Sequence, residues 1–141
     1  MTGSGPSVLS RLLHAAGTAT FHLEARLAEV DLSGARLAAL SALHEAGESM
    51  PLSQLADRLS CVKSNITQLV DRLEADGLVR RLSDPADRRT RLAVLTAAGR
   101  VACEQGLRIK TEAERQLVSQ LGPEETRQLT ALIAKLAPTR E

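Results

Sequence analysis

The chain of 141 residues has almost no aromatic side chains: Phe21 is the only one, and Trp and Tyr are absent. Its core must therefore be aliphatic, and the abundance of Leu and Ala favours helices. There are two cysteines, Cys61 and Cys103. They are too few and too far apart for a disulfide framework or a CxxC redox or zinc pair, and they fit a reducing cytoplasm. Charge of one sign is not in excess either. The formal net charge is +1, so the chain as a whole does not advertise a polyanionic partner. No apolar run reaches membrane length. The start, MTGSGPS followed by VLSRLLHAA, lacks a basic region and carries Arg11 inside its apolar stretch, so neither a membrane span nor a secretory signal is expected. GxSxG, GxxxxGK(S/T) and HExxH are also missing, and no acid–base pair has the spacing of an active site. Neither an enzyme nor a cofactor is expected.

What the chain does contain is helical periodicity over one domain's length. Leu9, Leu12, Leu13, Ala16, Leu23 and Leu27 predict one long helix from Val8 to about Glu29, weakened near Gly17. Ser33 can cap a second helix running from Gly34 to about Ala46, with Gly47 at its end. Met50 and Pro51 read as an extended connector or a short strand, and Ser53 opens a third, short helix through Leu59. After the turn Ser60-Cys61-Val62, a fourth helix runs from Lys63 to about Asp76. Its apolar residues Ile66, Leu69, Val70 and Leu73 recur at i, i+3, i+4 and i+7, which commits one face to a core. The opposite face displays Ser64, Asn65, Gln68, Asp71 and Arg72.

Residues 78–82 and 91–95 read as two strands around the turn-forming Asp84-Pro85-Ala86-Asp87. This hairpin supplies the local basicity that the whole chain lacks: Arg80, Arg81, Arg88, Arg89 and Arg91 stand against Asp84 and Asp87. Thr96 caps a long helix from Ala97 to about Gln120. Gly122 and Pro123 separate it from a last helix that carries Leu129, Leu132, Ile133 and Leu136. The fold class is mainly α: a winged helix-turn-helix with a small β-hairpin wing. We expect one domain over 1–141, with a core of about 34–96 flanked by dimerisation helices at about 8–32 and 97–137.

In a helix-turn-helix the second helix lies in the major groove and presents residues near its N-terminus to base edges. Lys63, Ser64, Asn65, Thr67 and Gln68 occupy those positions, with Arg72 one to two turns on. Asn and Gln amides suit bidentate pairing with adenine, so Asn65 or Gln68 is expected to read A·T pairs, while Lys and the hydroxyls suit phosphates. Arginines on a hairpin beside that helix suit a narrow, electronegative minor groove. The same helix read alone is an ordinary amphipathic surface helix; the basic hairpin that follows it tips the reading towards double-stranded DNA. One recognition helix offers few base contacts, so specificity calls for two half-sites roughly 34–36 Å apart and hence two copies of the chain.

The run LADRLSCVKSNITQLVDRLEADGLVRRLSDPADRRTRLAVLTAAGR resembles the winged-helix core of the MarR family of bacterial transcriptional regulators over about residues 52–100. The resemblance includes the hairpin and the Leu95-Thr96-x-x-Gly99 that starts the next helix. It implies a homodimer joined by its terminal helices and bound to a pseudopalindromic operator, which represses nearby genes until a small molecule or an oxidant loosens it. It also implies that Asp87-Arg88-Arg89 is the family's aspartate-x-arginine wing. On that likeness Arg89 enters the minor groove and Asp87 holds the wing in shape. Arg88 and Arg91 accompany Arg89, and Lys63, Ser64, Asn65, Thr67 and Gln68 match the start of the family's recognition helix. Many relatives carry Thr and Arg where this chain has Asn65 and Gln68.

The switch is less legible. Cys61 precedes the recognition helix, where oxidation can displace it, although free cysteine more often fills a small apolar site. The redox-sensing branch of the family places its reactive cysteine in the first helix, which here has none. A cleft between terminal helices and winged core is where the resemblance puts a small-molecule effector, near Phe21, His22 and Arg26. His14 and His22 lack a third ligand at metal spacing. Two other readings remain beside the ligand-released repressor: a cysteine-based redox regulator, and a winged-helix module that binds another protein and no DNA. The second is supported by the near-neutral charge and opposed by the surplus of wing arginines.

Overall fold

A computed structural model of the chain describes residues 5–59 and 63–137, the side chains of Lys63 and Ser64 excepted. The turn 60–62 read from the sequence, Cys61 included, lies outside the described residues. Six helices and three strands follow one another: α1 Val8–Ala28, α2 Gly34–Glu45, β1 Ser49–Pro51, α3 Leu52–Arg58, α4 Lys63–Ala75, β2 Val79–Ser83, β3 Arg91–Leu95, α5 Ala97–Leu117 and α6 Pro123–Leu136. The architecture is that of a winged helix-turn-helix, mainly α. Among these helices none is long and apolar enough to cross a membrane.

Local chemistry sets the element ends. Ser33 and Thr96 accept the backbone N–H of Arg36 and Gly99, each three residues into its helix, and so satisfy a donor that the first turn leaves free. After α2 the chain turns through Gly47 at φ +82°, a left-handed conformation that glycine adopts without strain. α1 runs unbroken through Gly17, because one glycine costs a helix of this length only about 1 kcal/mol. α3 begins at Leu52, with Pro51 rather than Ser53 ahead of it. α5 stops at Leu117, short of the expected Gln120; the Ser119 hydroxyl takes up the Gln116 carbonyl at 2.8 Å and competes with the helix there.

The extended connector proves to be a strand. β1 pairs antiparallel with β3, and β3 with β2, giving a three-stranded sheet of order β1-β3-β2. Met50, Val79, Ala93 and Leu95 turn one face of the sheet into the core, where they meet Leu37, Leu40 and Leu43 of α2 and Ile66, Val70 and Leu73 of α4. Gly99 locks α5 against the wing: a Cβ there would lie 2.0 Å from the Leu78 carbonyl oxygen, so only glycine allows the approach. This explains the glycine of the Leu-Thr-x-x-Gly motif. Gly106 does similar work against α2, where a Cβ would sit 2.5 Å from Leu37 Cδ1.

The ends of the chain pack differently. Of α1 only Leu27 is buried, and none of the residues of α6 is. Val8, Leu9, Leu13 and Phe21 on α1 and Leu132, Ile133 and Leu136 on α6 are exposed.

Candidate nucleic-acid interface

Helix α4 carries three stripes, each fixed by the 3.6-residue period. Ile66, Val70 and Leu73 are buried and anchor it to the core. Asn65, Gln68 and Arg72, at i, i+3 and i+7, form a second stripe and are exposed. Thr67, Asp71 and Glu74, at i, i+4 and i+7, form a third, which faces β2. The expected polar face is thus two faces. Asp71 leaves it, because its Oδ1 lies 2.6 Å from Arg81 Nη2, and Thr67 belongs with Asp71, its carbonyl accepting from the same guanidinium at 3.1 Å. Lys63 and Ser64 lie in the first turn of α4, but their side chains fall outside the described residues.

The wing tip is shaped by its two aspartates. Asp84 Oδ1 accepts from the Ala86 N–H at 2.9 Å, and the tip closes with Asp84 N–H to the Thr90 carbonyl at 2.9 Å. Asp87 Oδ1 accepts from the Arg89 N–H at 3.0 Å, and its Oδ2 from the Thr90 hydroxyl at 3.3 Å. Asp87 therefore fixes the backbone from which Arg89 projects, through an Asx-type turn. Arg88, Arg89 and Arg91 are exposed, as is Arg72, and none of the four has an ion-pair partner among the described residues. Arg81 differs: it is held by carboxylates and drops out of the cluster of free cations.

Where α3 and α4 meet the tip end of the wing there is a cleft of about 310 Å³, lined by Ser53, Thr67, Arg89, Thr90 and Arg91 among others. Two guanidinium groups and three hydroxyls around one cleft suit an anionic oxygen of a nucleic-acid backbone. Ser53 and Thr90 were not singled out from the sequence. Serine at a helix start reads first as a cap, and only the folding of α3 against the wing brings it to this cleft.

The effector residues divide. His22 and Arg26 line an apolar groove of about 840 Å³ between α1 and α5, with Lys110, Leu117 and His14. Phe21 does not reach it. That ring is exposed on another side of α1, edge-on to His22 at 5.7 Å. Cys103 is buried on α5, and burial, followed by the nearby Glu104 and Glu45 carboxylates, pushes its thiol above the ordinary range. A thiol so held is poorly nucleophilic and inaccessible, the opposite of what a redox sensor needs.

The MarR family matches residues 32–90. Multiple antibiotic resistance protein MarR of Escherichia coli (strain K12) is 30% identical over 132 residues, spanning 92% of this chain and 91% of that protein. The uncharacterized HTH-type transcriptional regulator YkoM of Bacillus subtilis (strain 168) is 34% identical over 84 residues, and the match takes in 54% of its length. In three dimensions, a mutant E. coli MarR complexed with operator DNA is similar with a TM-score of 0.81 at 28% identity, covering 92% of this chain and 94% of that one.

Proposed function

This chain belongs to the MarR family of transcriptional regulators, and on that premise we propose that it is a dimeric repressor of a pseudopalindromic operator, released by a small molecule. The observation that carries the reading is the pairing, on adjoining elements, of an exposed Asn65–Gln68–Arg72 stripe with Arg88, Arg89 and Arg91, which have no ion-pair partner among the described residues. Asn65 and Gln68 read base edges in the major groove, with Lys63, Ser64 and Thr67 at the same end of the helix. Arg89, set by Asp87, enters the minor groove, while Arg72, Arg88 and Arg91 meet phosphates. The operator-bound relative supports this geometry.

The exposed apolar faces of α1 and α6 support the dimer, because a soluble chain rarely leaves faces of that kind uncovered. They also support the division into a winged core of about 34–96 and dimerisation helices on either side. For the effector, the groove between α1 and α5 offers apolar walls with Arg26 and Lys110 against one carboxylate, Glu114, a balance that favours an amphipathic acid. With its nucleic-acid partner, the protein would work in the cytoplasm.

Titration of the chain's own promoter fragment at several salt concentrations tests the reading. Binding should weaken steeply, with a log–log slope of about −0.9 for every phosphate neutralised. A slope near zero, or no binding to any genomic fragment, would favour the protein-interaction module instead.

A further inference from the structure

We propose that Arg81 is a positioning residue that clamps the recognition helix to the wing, so that the major-groove and minor-groove readers are presented at one fixed spacing. The proposal rests on the DNA-binding reading above, and its evidence is the geometry between α4 and β2.

Along β2 the side chains alternate. Val79 points into the core and Arg80 away from it, so Arg81 returns to the side on which α4 packs. Its side chain is only 19% exposed. Nη2 lies 2.6 Å from Asp71 Oδ1 and 3.1 Å from the Thr67 carbonyl oxygen, and Nη1 lies 3.2 Å from Glu74 Oε1. The second oxygen of Glu74 accepts the Arg81 backbone N–H at 2.8 Å. One strand residue thus grips three successive turns of the helix, through both side chain and main chain. Only a planar group with several fixed donors reaches three acceptors in this way; a lysine ammonium cannot.

The clamp also has an electrostatic consequence. Asp71 and Glu74 are negative charges on the helix that approaches DNA, and Arg81 neutralises them where they stand. An isolated exposed ion pair contributes little, but here one cation is mostly buried and its partners form a network. Among the wing arginines the labour is therefore divided: Arg88, Arg89 and Arg91 are free to meet the nucleic acid, and Arg81 sets the distance between them and α4.

Operator affinity and its salt dependence should be measured for the parent, Arg81→Lys, Arg81→Gln and Asp71→Asn, with Arg89→Ala made in the parent and in Arg81→Gln. Both Arg81 variants should lose about tenfold in affinity with the salt slope unchanged, and Asp71→Asn should shift affinity less and in the same direction. Arg89→Ala should cost several-fold less in the Arg81→Gln background than in the parent, because a wing no longer held gains little from its arginine. A general loss of fold would mask Arg89→Ala in the same way, so the coupling counts only if circular dichroism shows Arg81→Gln folded like the parent. The proposal is overturned if Arg81→Lys binds like the parent while Arg81→Gln flattens the salt slope by about one, the signature of a phosphate contact. Amide hydrogen exchange without DNA gives an independent reading. Protection across α4 and β2 should fall in both Arg81 variants and hold in Arg80→Gln; unchanged protection also overturns the clamp. A parent that binds no DNA would instead defeat the proposed function, leaving hydrogen exchange to decide whether the clamp exists.

Discussion

The middle of the chain and its two ends handle apolar surface in opposite ways. From Leu32 to Leu95 the large aliphatic side chains of α2, α3, α4 and the sheet close on one another, and Leu40, Leu43, Leu55, Val70, Leu73 and Val79 are completely buried. In α6 the same residue types at the same helical spacing bury nothing, and Val8 at the start of α1 is 77% exposed. Periodicity alone says that a helix has an apolar face; what covers that face is a separate matter. The winged core covers its own, and the terminal helices leave theirs exposed, which is the ground for proposing that a second copy covers them. This contrast separates the part that recognises a nucleic acid from the part that would set the spacing of two such recognisers.

The sharpest way to break the comparison is to make the ends polar. In Leu132→Glu combined with Ile133→Glu, dimerisation should fail, and operator affinity should fall by about 10²–10⁴-fold as two linked half-sites become two independent ones. Sedimentation should report a monomer, while circular dichroism should show the winged core still folded. A double variant that stays dimeric and binds its operator would show that α6 is not the glue.

The reverse experiment removes a core residue. Leu40 is fully buried between α2 and its neighbours, so Leu40→Ala should lower unfolding stability by about 2–5 kcal/mol through lost transfer energy and a residual cavity. The same truncation at Leu136, which is 64% exposed, should leave the stability of isolated monomer nearly unchanged. Chemical denaturation of a monomeric background checks both. Equal losses at the two sites would erase the distinction between closed middle and open ends.

A smaller effect belongs to the wing, which is exposed like α6 but charged. Arg89→Ala should weaken operator binding by about tenfold and reduce the magnitude of the salt slope by about 0.9, without moving the unfolding midpoint. Affinity within error of the parent would remove Arg89 from the interface. Arg89 makes no ion pair among the described residues, so little intramolecular support is lost with it.

These residues also show how far a sequence can be read. The caps Ser33 and Thr96, the turn at Gly47, the core stripe of α4 and the hairpin around Asp84–Asp87 are local features, each decided by chemistry within a few positions. The docking of one element on another is not local, and there the reading failed in identifiable ways. Arg81 looked like its neighbours Arg80 and Arg88 because its partners Asp71 and Glu74 lie on a different element, brought alongside only when β2 packs on α4. The strand Ser49–Pro51 is open in the sequence as connector or strand, being too short to show alternation, and β3 decides it by offering an edge. Phe21 and His22 are adjacent in sequence, yet the helix turns only His22 towards the groove.

The least effect is expected where the comparison runs through a single helix. Cys103 marks the closed half of α5, buried against the core, while Leu117 near the helix's other end is exposed. Because the folded thiol titrates above its unfolded value, its stabilising contribution is complete below the unfolded pKa of about 8.5 and is lost as pH rises through the folded one. Unfolding stability should therefore fall slightly more steeply above pH ~8.5 in the parent than in Cys103→Ala, and the two should run parallel below it. Alkylation of Cys103 at neutral pH should wait for unfolding, and Cys103→Ala should leave operator affinity unchanged. Rapid labelling of the folded protein at Cys103, with loss of DNA binding, would place a redox switch in the half of the molecule that the packing shows as closed.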